Sequence, residues 1–389
     1  MAEEIVRIAA RGDGVTPSGR HVPFGVPGDA LLDDGALAPG RHHQDPPCRH
    51  FPECGGCQLQ HADDEAYRGY LASRVETALA QHGLETQIRE AHLSPPNTRR
   101  RAALRAMRVG NGAVIGFNAE RSHRIVDMRE CHILRPELFA LVEPLRRLLA
   151  QLLQPKRMAE VQLTLIDGGA DVLLKGAAAD GLTAIEQLTE FAITHGLARL
   201  SIDPGFGAET VYEPEAAVVT LSGVRVGFPV GSFLQATQDG EAALVEAVGE
   251  AVAGAGRVAD LFAGLGTFAL AAHASYAAEA SRDAAAALKR AAPAMAAEHR
   301  DLYRRPLDPG ELERFDAVIL DPPRAGANEQ MRALVASGVR RIAYVSCNPA
   351  TFARDAKTLV DHGHSLEWVK PVGQFRWSTH VELASCFSR

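Results

Sequence analysis

Residues 260–270 read DLFAGLGTFAL. An apolar strand runs into a turn built on Gly264 and Gly266, and a helix-forming run follows. Glycine lets the chain turn sharply there and approach a ligand closely. Strand and helix alternate on both sides of this stretch. Helix DGEAALVEAVGEAVAG leads into strand RVADLF; strand SYAAEAS and one long helix, RDAAAALKRAAPAMAAEH (282–299), come after it. Strand FDAVILDPP, helix NEQMRALVASG, strand RIAYVSC and helix ATFARDAKTLVDHG continue the pattern, and strands HSLEWVKPVG and HVELASCFS close it. Such alternation predicts an α/β fold with a doubly wound, Rossmann-like sheet, which binds ligands at the carboxyl ends of its parallel strands. The loops after ADLF, ILDPP and AYVSC therefore open on one edge, and Cys347 falls in that crevice.

The rest of the chain divides around this unit. Residues 1–40 alternate short apolar runs with RGDG, PSGR and VPGD turns and read as a small β segment. Residues 41–230 read as a mixed α+β central domain with a helix over 63–83 and strands such as AVIGFN, EVQLTLID and DVLLKG. Residues 231–389 carry the alternating unit. The 389 residues suffice for two or three cores, and 46% hydrophobic with 23% charged residues is ordinary for a globular chain. No run of roughly 18 apolar residues occurs, so no membrane span is expected. No basic segment precedes an apolar run at the start, so no secretory signal is expected and the protein is expected in the cytoplasm. There, clustered cysteines point to metal or catalysis rather than disulfides.

Net charge is −7, which by itself speaks against a polyanionic partner. Between Arg89 and Arg135, however, ten arginines, no lysine and four acids leave a local excess of +6. That stretch is either a solvated face or a phosphate-gripping surface, the latter favoured by a bias that is all arginine.

Four motifs carry chemistry. Gly264 and Gly266 with Glu279 at the end of the next strand suit a ligand with ribose hydroxyls; Gly264-x-Gly266-x-x-Ala269 leaves NAD open beside S-adenosylmethionine. LDPPRAGA (320–327) makes a stiff turn after a central strand. Cys347, before Asn348-Pro349, is either a packed thiol or a nucleophile whose pKa the following helix N-terminus lowers. Cys48, Cys54 and Cys57, spaced C-x5-C-x2-C, with Cys131 as a fourth ligand, fit an iron–sulfur cluster or zinc, and His50 and His61 keep zinc open.

SFLQ, DLFAGLGTF, AAEAS, ILDPPRAGA, YVSCNPATFARD and HVELASCFSR occur in the order and at the spacing of the RNA uracil-5-methyltransferases. From about residue 40 onward the chain resembles that family, whose bacterial members make 5-methyluridine in 23S ribosomal RNA and transfer RNA. The first 40 residues look like a shortened form of its small β-barrel, the TRAM domain. The resemblance implies a class I methyltransferase using S-adenosylmethionine, with Cys347 adding to uracil C6 and Glu382 removing the C5 proton. It implies cofactor contacts from Gln235, Phe262, Gly264, Gly266, Glu279, Asp301 and Asp321, and a role for Arg324 at the uracil or a phosphate. It also implies a 4Fe–4S cluster on Cys48, Cys54, Cys57 and Cys131, which favours 23S ribosomal RNA over transfer RNA. DNA is not expected as substrate, because DPPRAG lacks the cysteine of DNA cytosine enzymes, and a monomer is expected. The reading from another class is a non-catalytic RNA-binding or iron–sulfur protein on the same fold.

Overall fold

A computed structural model describes residues 2–179 and 181–389. Its largest sheet contains, in chain order, β1 (Val258–Leu261), β2 (Tyr276–Glu279), β3 (Ala296–His299), β4 (Ala317–Leu320), β5 (Arg341–Ser346), β6 (Ser365–Gly373) and β7 (Glu382–Ser388). They lie side by side as β3-β2-β1-β4-β5-β7-β6. β1 to β5 are parallel, and β7 runs antiparallel between β5 and β6. The order reverses between β1 and β4, so the loops after both strands border one crevice, where such sheets bind ligands.

Helices α1 (Asp64–Ala80), α2 (Gln238–Ala251), α3 (Thr267–Ala271), α4 (Arg282–Ala291), α5 (Asn328–Val335) and α6 (Pro349–Asp361) cover the sheet. Every residue of β1 and β4 is buried, as strands with helices on both faces require. Their side chains alternate between two cores. Ala259, Leu261, Val318 and Leu320 meet α1, α5 and α6, whereas Val258, Ala317 and Ile319 meet α2, α3 and α4.

Two expectations are corrected here. The helix expected over 282–299 stops at Ala291, and Ala296–His299 forms the edge strand β3, parallel to β2. Pro293 separates the two; it has no N–H to continue a helix, and alanine propensity cannot override that. The second concerns α1 and the short strands Gln87–Ile88 and His92–Leu93, assigned by the sequence to the central region. Both strands pair in parallel with β6, and α1 packs on the large sheet. Tyr67 of α1 donates to the carbonyls of Phe375 and Ser378, each at 3.0 Å.

The central region has its own six-stranded sheet, ordered Gly112–Gly116, Arg101–Val109, Met158–Ile166, Gly169–Lys175, Arg199–Asp203 and Glu209–Tyr212. Buried Arg100 fastens it to the start of the large-sheet unit: its N–H donates to the Ala236 carbonyl at 2.8 Å, and its guanidinium pairs with Glu241 at 2.6 Å. Residues 3–38 form two three-stranded antiparallel sheets of two-residue strands around Ile5, Val22 and Leu31. Among the described residues, no helix is long and apolar enough to cross a membrane.

Candidate active site

The loop after β1 is held in a conformation few side chains tolerate. Phe262, Gly264 and Gly266 all have positive φ, at 68°, 55° and 92°. A Cβ on Gly266 would stand 2.5 Å from Leu288 of α4, whereas one on Gly264 would meet nothing within 4 Å. The first glycine leaves room beside the loop, and the second lets the loop pack on its helix. Glu279, ending β2, accepts from Gly264 N–H at 2.8 Å and Ser281 N–H at 2.6 Å, so it braces the turn. Asp301 accepts from Tyr303 N–H at 3.0 Å. The Tyr303 ring lies 5.7 Å from Phe262, and its hydroxyl donates to the Gly326 carbonyl at 2.9 Å.

Sequence reasoning passed over Tyr303, and also Asp260, inside DLF. Asp260 is fully buried in β1, both carboxylate oxygens lack a hydrogen-bond partner among the described residues, and burial together with Asp321 and Glu279 holds it far above the usual range. An acid two residues before Phe262, in an apolar strand ahead of the glycine turn, was the available signal. Three carboxylates thus end β1, β2 and β4 at one edge and repel one another. Burial and Glu279 push Asp321 up to about 7.

The loops after β4 and β5 supply the second half of the site. Cys347 follows β5, and Asn348 caps α6 by accepting from Ala350 N–H at 3.1 Å. Asn348 Nδ2 and Thr351 Oγ1 both donate to the Arg324 carbonyl at 3.1 Å, which places the DPPR turn beside Cys347. Gly326, at φ 81°, leaves no room for a Cβ, which would stand 2.5 Å from buried Asp355 Oδ2. Glu382 opens β7 and is 7% exposed. Burial first, then Asp321, pushes its carboxyl up to about 8 against Arg324 and a hydrogen bond from Gln374. The expectation that α6 depresses the Cys347 thiol is corrected. Burial first, then Glu382 and Asp321, pushes it up to about 11, with Arg324 opposing, because the charged thiolate loses its hydration beside two carboxylates.

Gln235 is buried, and its Oε1 accepts from Gln374 Nε2 at 2.8 Å. Gln374, which sequence reasoning missed, therefore links Gln235 to Glu382. Cys347, Glu382, Arg324, His380, Phe375 and Phe233 line a cleft of about 780 Å³, which Arg99 and Phe117 enter from the central region and Ala10 and Arg11 from the N-terminal one.

Residues 292–389 match the tRNA (Uracil-5-)-methyltransferase family. An uncharacterised RNA methyltransferase of Zymomonas mobilis is 51% identical over 395 positions, covering 100% of both chains. A 23S rRNA (uracil(1939)-C(5))-methyltransferase of Pectobacterium atrosepticum is 30% identical over 90% of this chain and 81% of that one. The chain belongs to the RNA uracil-5-methyltransferase family. Its fold is similar to that of the Pyrococcus abyssi tRNA (uracil-54, C5)-methyltransferase, with a TM-score of 0.76 at 22% identity over 100% of this chain and 99% of that one.

This methyltransferase acts on RNA with S-adenosylmethionine as cofactor, and the β1–β4 edge fits that molecule. Its sulfonium and ammonium charges suit the convergence of Asp260, Glu279 and Asp321, and the open side of Gly264 leaves space for it.

The arginine-rich segment is mostly paired. Arg89, Arg100, Arg105, Arg121, Arg124, Arg129 and Arg135 each reach a carboxylate. Arg99 instead borders the cleft and Arg101 an adjoining cavity that shares Phe233, the two stacked near Phe375 at 5.3 Å and Phe233 at 4.4 Å. Arg108 also lacks a carboxylate and donates to the Gly110 and Leu153 carbonyls, so the expected phosphate-gripping stripe contracts around the cleft to Arg99 and Arg101.

Cys48, Cys54, Cys57 and Cys131 line one cavity, and the charge of Cys131 is felt by the other three. Burial pushes Cys54 up to about 11 and Cys57 up to about 12. Hydrogen bonds from the backbone at His50, Gly56, Ile133 and Leu134 reach the sulfurs. Among the described residues, no group of three or more His, Cys, Asp or Glu is disposed to hold a single metal ion. His61 is not beside these sulfurs; it is buried among the rings of Phe24, His43 and Phe51.

Proposed function

We propose that this methyltransferase modifies C5 of a uridine in 23S ribosomal RNA through covalent addition of Cys347, with Glu382 as the base. The observation that supports this is the meeting of Cys347, Glu382 and Arg324 at one cleft, with Asp321 near enough to raise both Cys347 and Glu382. Uracil C5 is a poor nucleophile. Addition of the Cys347 thiolate to C6 gives C5 enolate character. S-adenosylmethionine supplies the electrophilic methyl group when bound by Gln235, Phe262, Gly264, Gly266, Glu279, Asp301 and Asp321. Glu382 then takes the C5 proton, and the elimination that follows releases Cys347. A carboxyl held at about 8 is a stronger base than an ordinary glutamate, which suits this step near neutral pH. Arg324 favours the thiolate that opens the sequence.

Cys48, Cys54, Cys57 and Cys131 are assigned a 4Fe–4S cluster. Four thiols around one cavity, with backbone donors aimed at the sulfurs, suit that group. It would cross-link the cysteine loop to the segment around Cys131 without entering the methylation chemistry.

The test incubates anaerobically purified protein with labelled S-adenosylmethionine and unmodified 23S ribosomal RNA, beside Cys347→Ala. Label in one uridine as 5-methyluridine, absent from the variant, is the expected result. Label on transfer RNA alone would overturn the substrate and keep the chemistry. No transfer to either, with cofactor bound, would overturn both.

A further inference from the structure

Arg324 and His380 approach each other at the cleft, with Arg324 Nη2 at 2.7 Å from His380 Nδ1. A guanidinium has only donors. The imidazole therefore meets it with the Nδ1 lone pair and carries its proton on Nε2. Burial and the charges of Arg324 and Arg99 hold the ring below its usual range, so it stays neutral at neutral pH.

Both partners are fixed from behind. His380 N–H donates to Ser378 Oγ at 3.0 Å, and the His380 ring lies 5.7 Å from Phe375. The Arg324 carbonyl is held by Asn348 and Thr351 at the turn of Cys347. Among the described residues, Nε2–H has no protein acceptor, and His380 lines the same cleft as Cys347 and Glu382.

A neutral donor has a use at this point. As the S–C6 bond forms, the C5=C6 pair moves into C4–C5 and the carbonyl pair moves onto O4. Negative charge grows on that oxygen while no proton or leaving group departs. Glu382 is committed as acceptor of the C5 proton, and Arg324 turns Nη2 to the ring, so the Nε2–H of His380 stands free as a neutral donor at the same cleft. We propose that His380 is a further catalytic residue, donating Nε2–H to uracil O4 and stabilising the enolate that Cys347 addition creates. The proposal rests on the covalent-addition reading above.

The experiment uses full-length protein, S-adenosylmethionine and a 23S ribosomal RNA transcript carrying 5-fluorouridine. Fluorine at C5 blocks the final proton removal, so the Cys347 adduct accumulates and its rate can be read on a denaturing gel. His380→Phe keeps a ring without the donor, and His380→Asn places an amide only near Nδ1. Both should form adduct about 10²-fold more slowly, the usual cost of losing one oxyanion donor, with RNA binding unchanged. His380→Gln, whose amide nitrogen reaches the Nε2 position, should recover most of the rate. A wild-type rate in His380→Phe, or a His380→Gln no faster than His380→Phe, would overturn the proposal alone. Absence of adduct in the wild type on both this RNA and a transfer RNA transcript would overturn the addition reading and the proposal with it.

Discussion

Trp377 and Gln58 tie the cysteine loop to the loop that delivers Glu382. The Trp377 carbonyl accepts from the N–H groups of Gln58 and Leu59, each at 2.8 Å, and Thr379 N–H donates to Gln58 Oε1 at 3.3 Å. The Trp377 indole packs with Cys57 and Ile133. Trp377 also sits at φ 59°, a strained position for a bulky residue, which persists only while its surroundings enforce it.

Loss of whatever the cysteines hold should therefore loosen the catalytic loop. In Cys54→Ser, amide exchange at Gln58, Leu59 and Thr379 should quicken about tenfold or more, since each hydrogen bond contributes roughly 1 kcal/mol. Exchange in β1 and β4 should not change. Hydrogen exchange read by mass spectrometry, with iron and sulfide content measured alongside, checks this. Equal protection in a variant that has lost its iron would separate the two loops.

Glu382→Gln should abolish turnover while stabilising the fold in alkaline solution. The Glu382 carboxyl is raised to about 8 in the folded chain against an ordinary 4.5, so the folded state binds the proton more tightly than the unfolded. Its contribution is fully present below the unfolded value and is lost as pH rises through the folded one. Glutamine never ionises and escapes that loss. Melting should rise on the order of 3 °C at pH 9 and little at pH 4. A variant equally stable or less stable at pH 9 would show that the carboxylate is well solvated.

The wild-type rate follows the same groups. Cys347, pushed up to about 11, and Glu382, pushed up to about 8, must both lose protons before their steps. At subsaturating RNA, kcat/KM should climb from pH 6 through pH 9, about tenfold per unit where one group controls it. A profile flat across that range would mean that neither proton limits the reaction.

Legibility of this site followed local spacing. Gly264, Gly266 and Cys347 were singled out because each follows a strand whose alternation with helices fixes the edge it faces, whereas Glu382 came from the resemblance of HVELASCF to the family's terminal motif. Asp260 was not singled out, since an acid inside a strand matters only once the β1–β4 neighbours bring Asp321 and Glu279 beside it. Gln374 and Tyr303 act through partners 139 and 23 residues away, at Gln235 and Gly326, and single-chain pattern carries no trace of such pairs. The strand β3 was hidden by alanine-rich sequence, although Pro293 was the clue. The arginine count misled because their carboxylate partners, such as Glu241 and Glu250, lie far along the chain.

Those pairings set which arginines keep an unanswered charge. Arg101 stacks over Phe233 and donates to the Leu234 carbonyl at 2.9 Å without a carboxylate partner, whereas exposed Arg124 pairs with Glu53. Arg101→Ala should weaken RNA binding about tenfold and flatten its salt dependence. Arg124→Ala should change it little, because its charge is already answered. Filter binding across a salt series decides this, and equal losses in both variants would restore a uniform basic face.

The two glycines after β1 should separate packing from ligand space. Gly266→Ala places a Cβ 2.5 Å from the end of the buried Leu288 side chain at φ 92°, so that side chain must yield as well as the backbone strain. A loss of about 2–3 kcal/mol in stability is expected, with cofactor binding lost as the turn moves. Gly264→Ala at φ 55° meets no protein atom, and its cost in stability should stay near 1 kcal/mol. Its Cβ enters the open side of the loop instead, so affinity for S-adenosylhomocysteine should fall more than melting temperature does. Calorimetric titration beside thermal unfolding measures both quantities. If Gly264→Ala bound S-adenosylhomocysteine as tightly as the wild type, the cofactor would lie away from this turn, and the carboxylates of β1, β2 and β4 would need another cation.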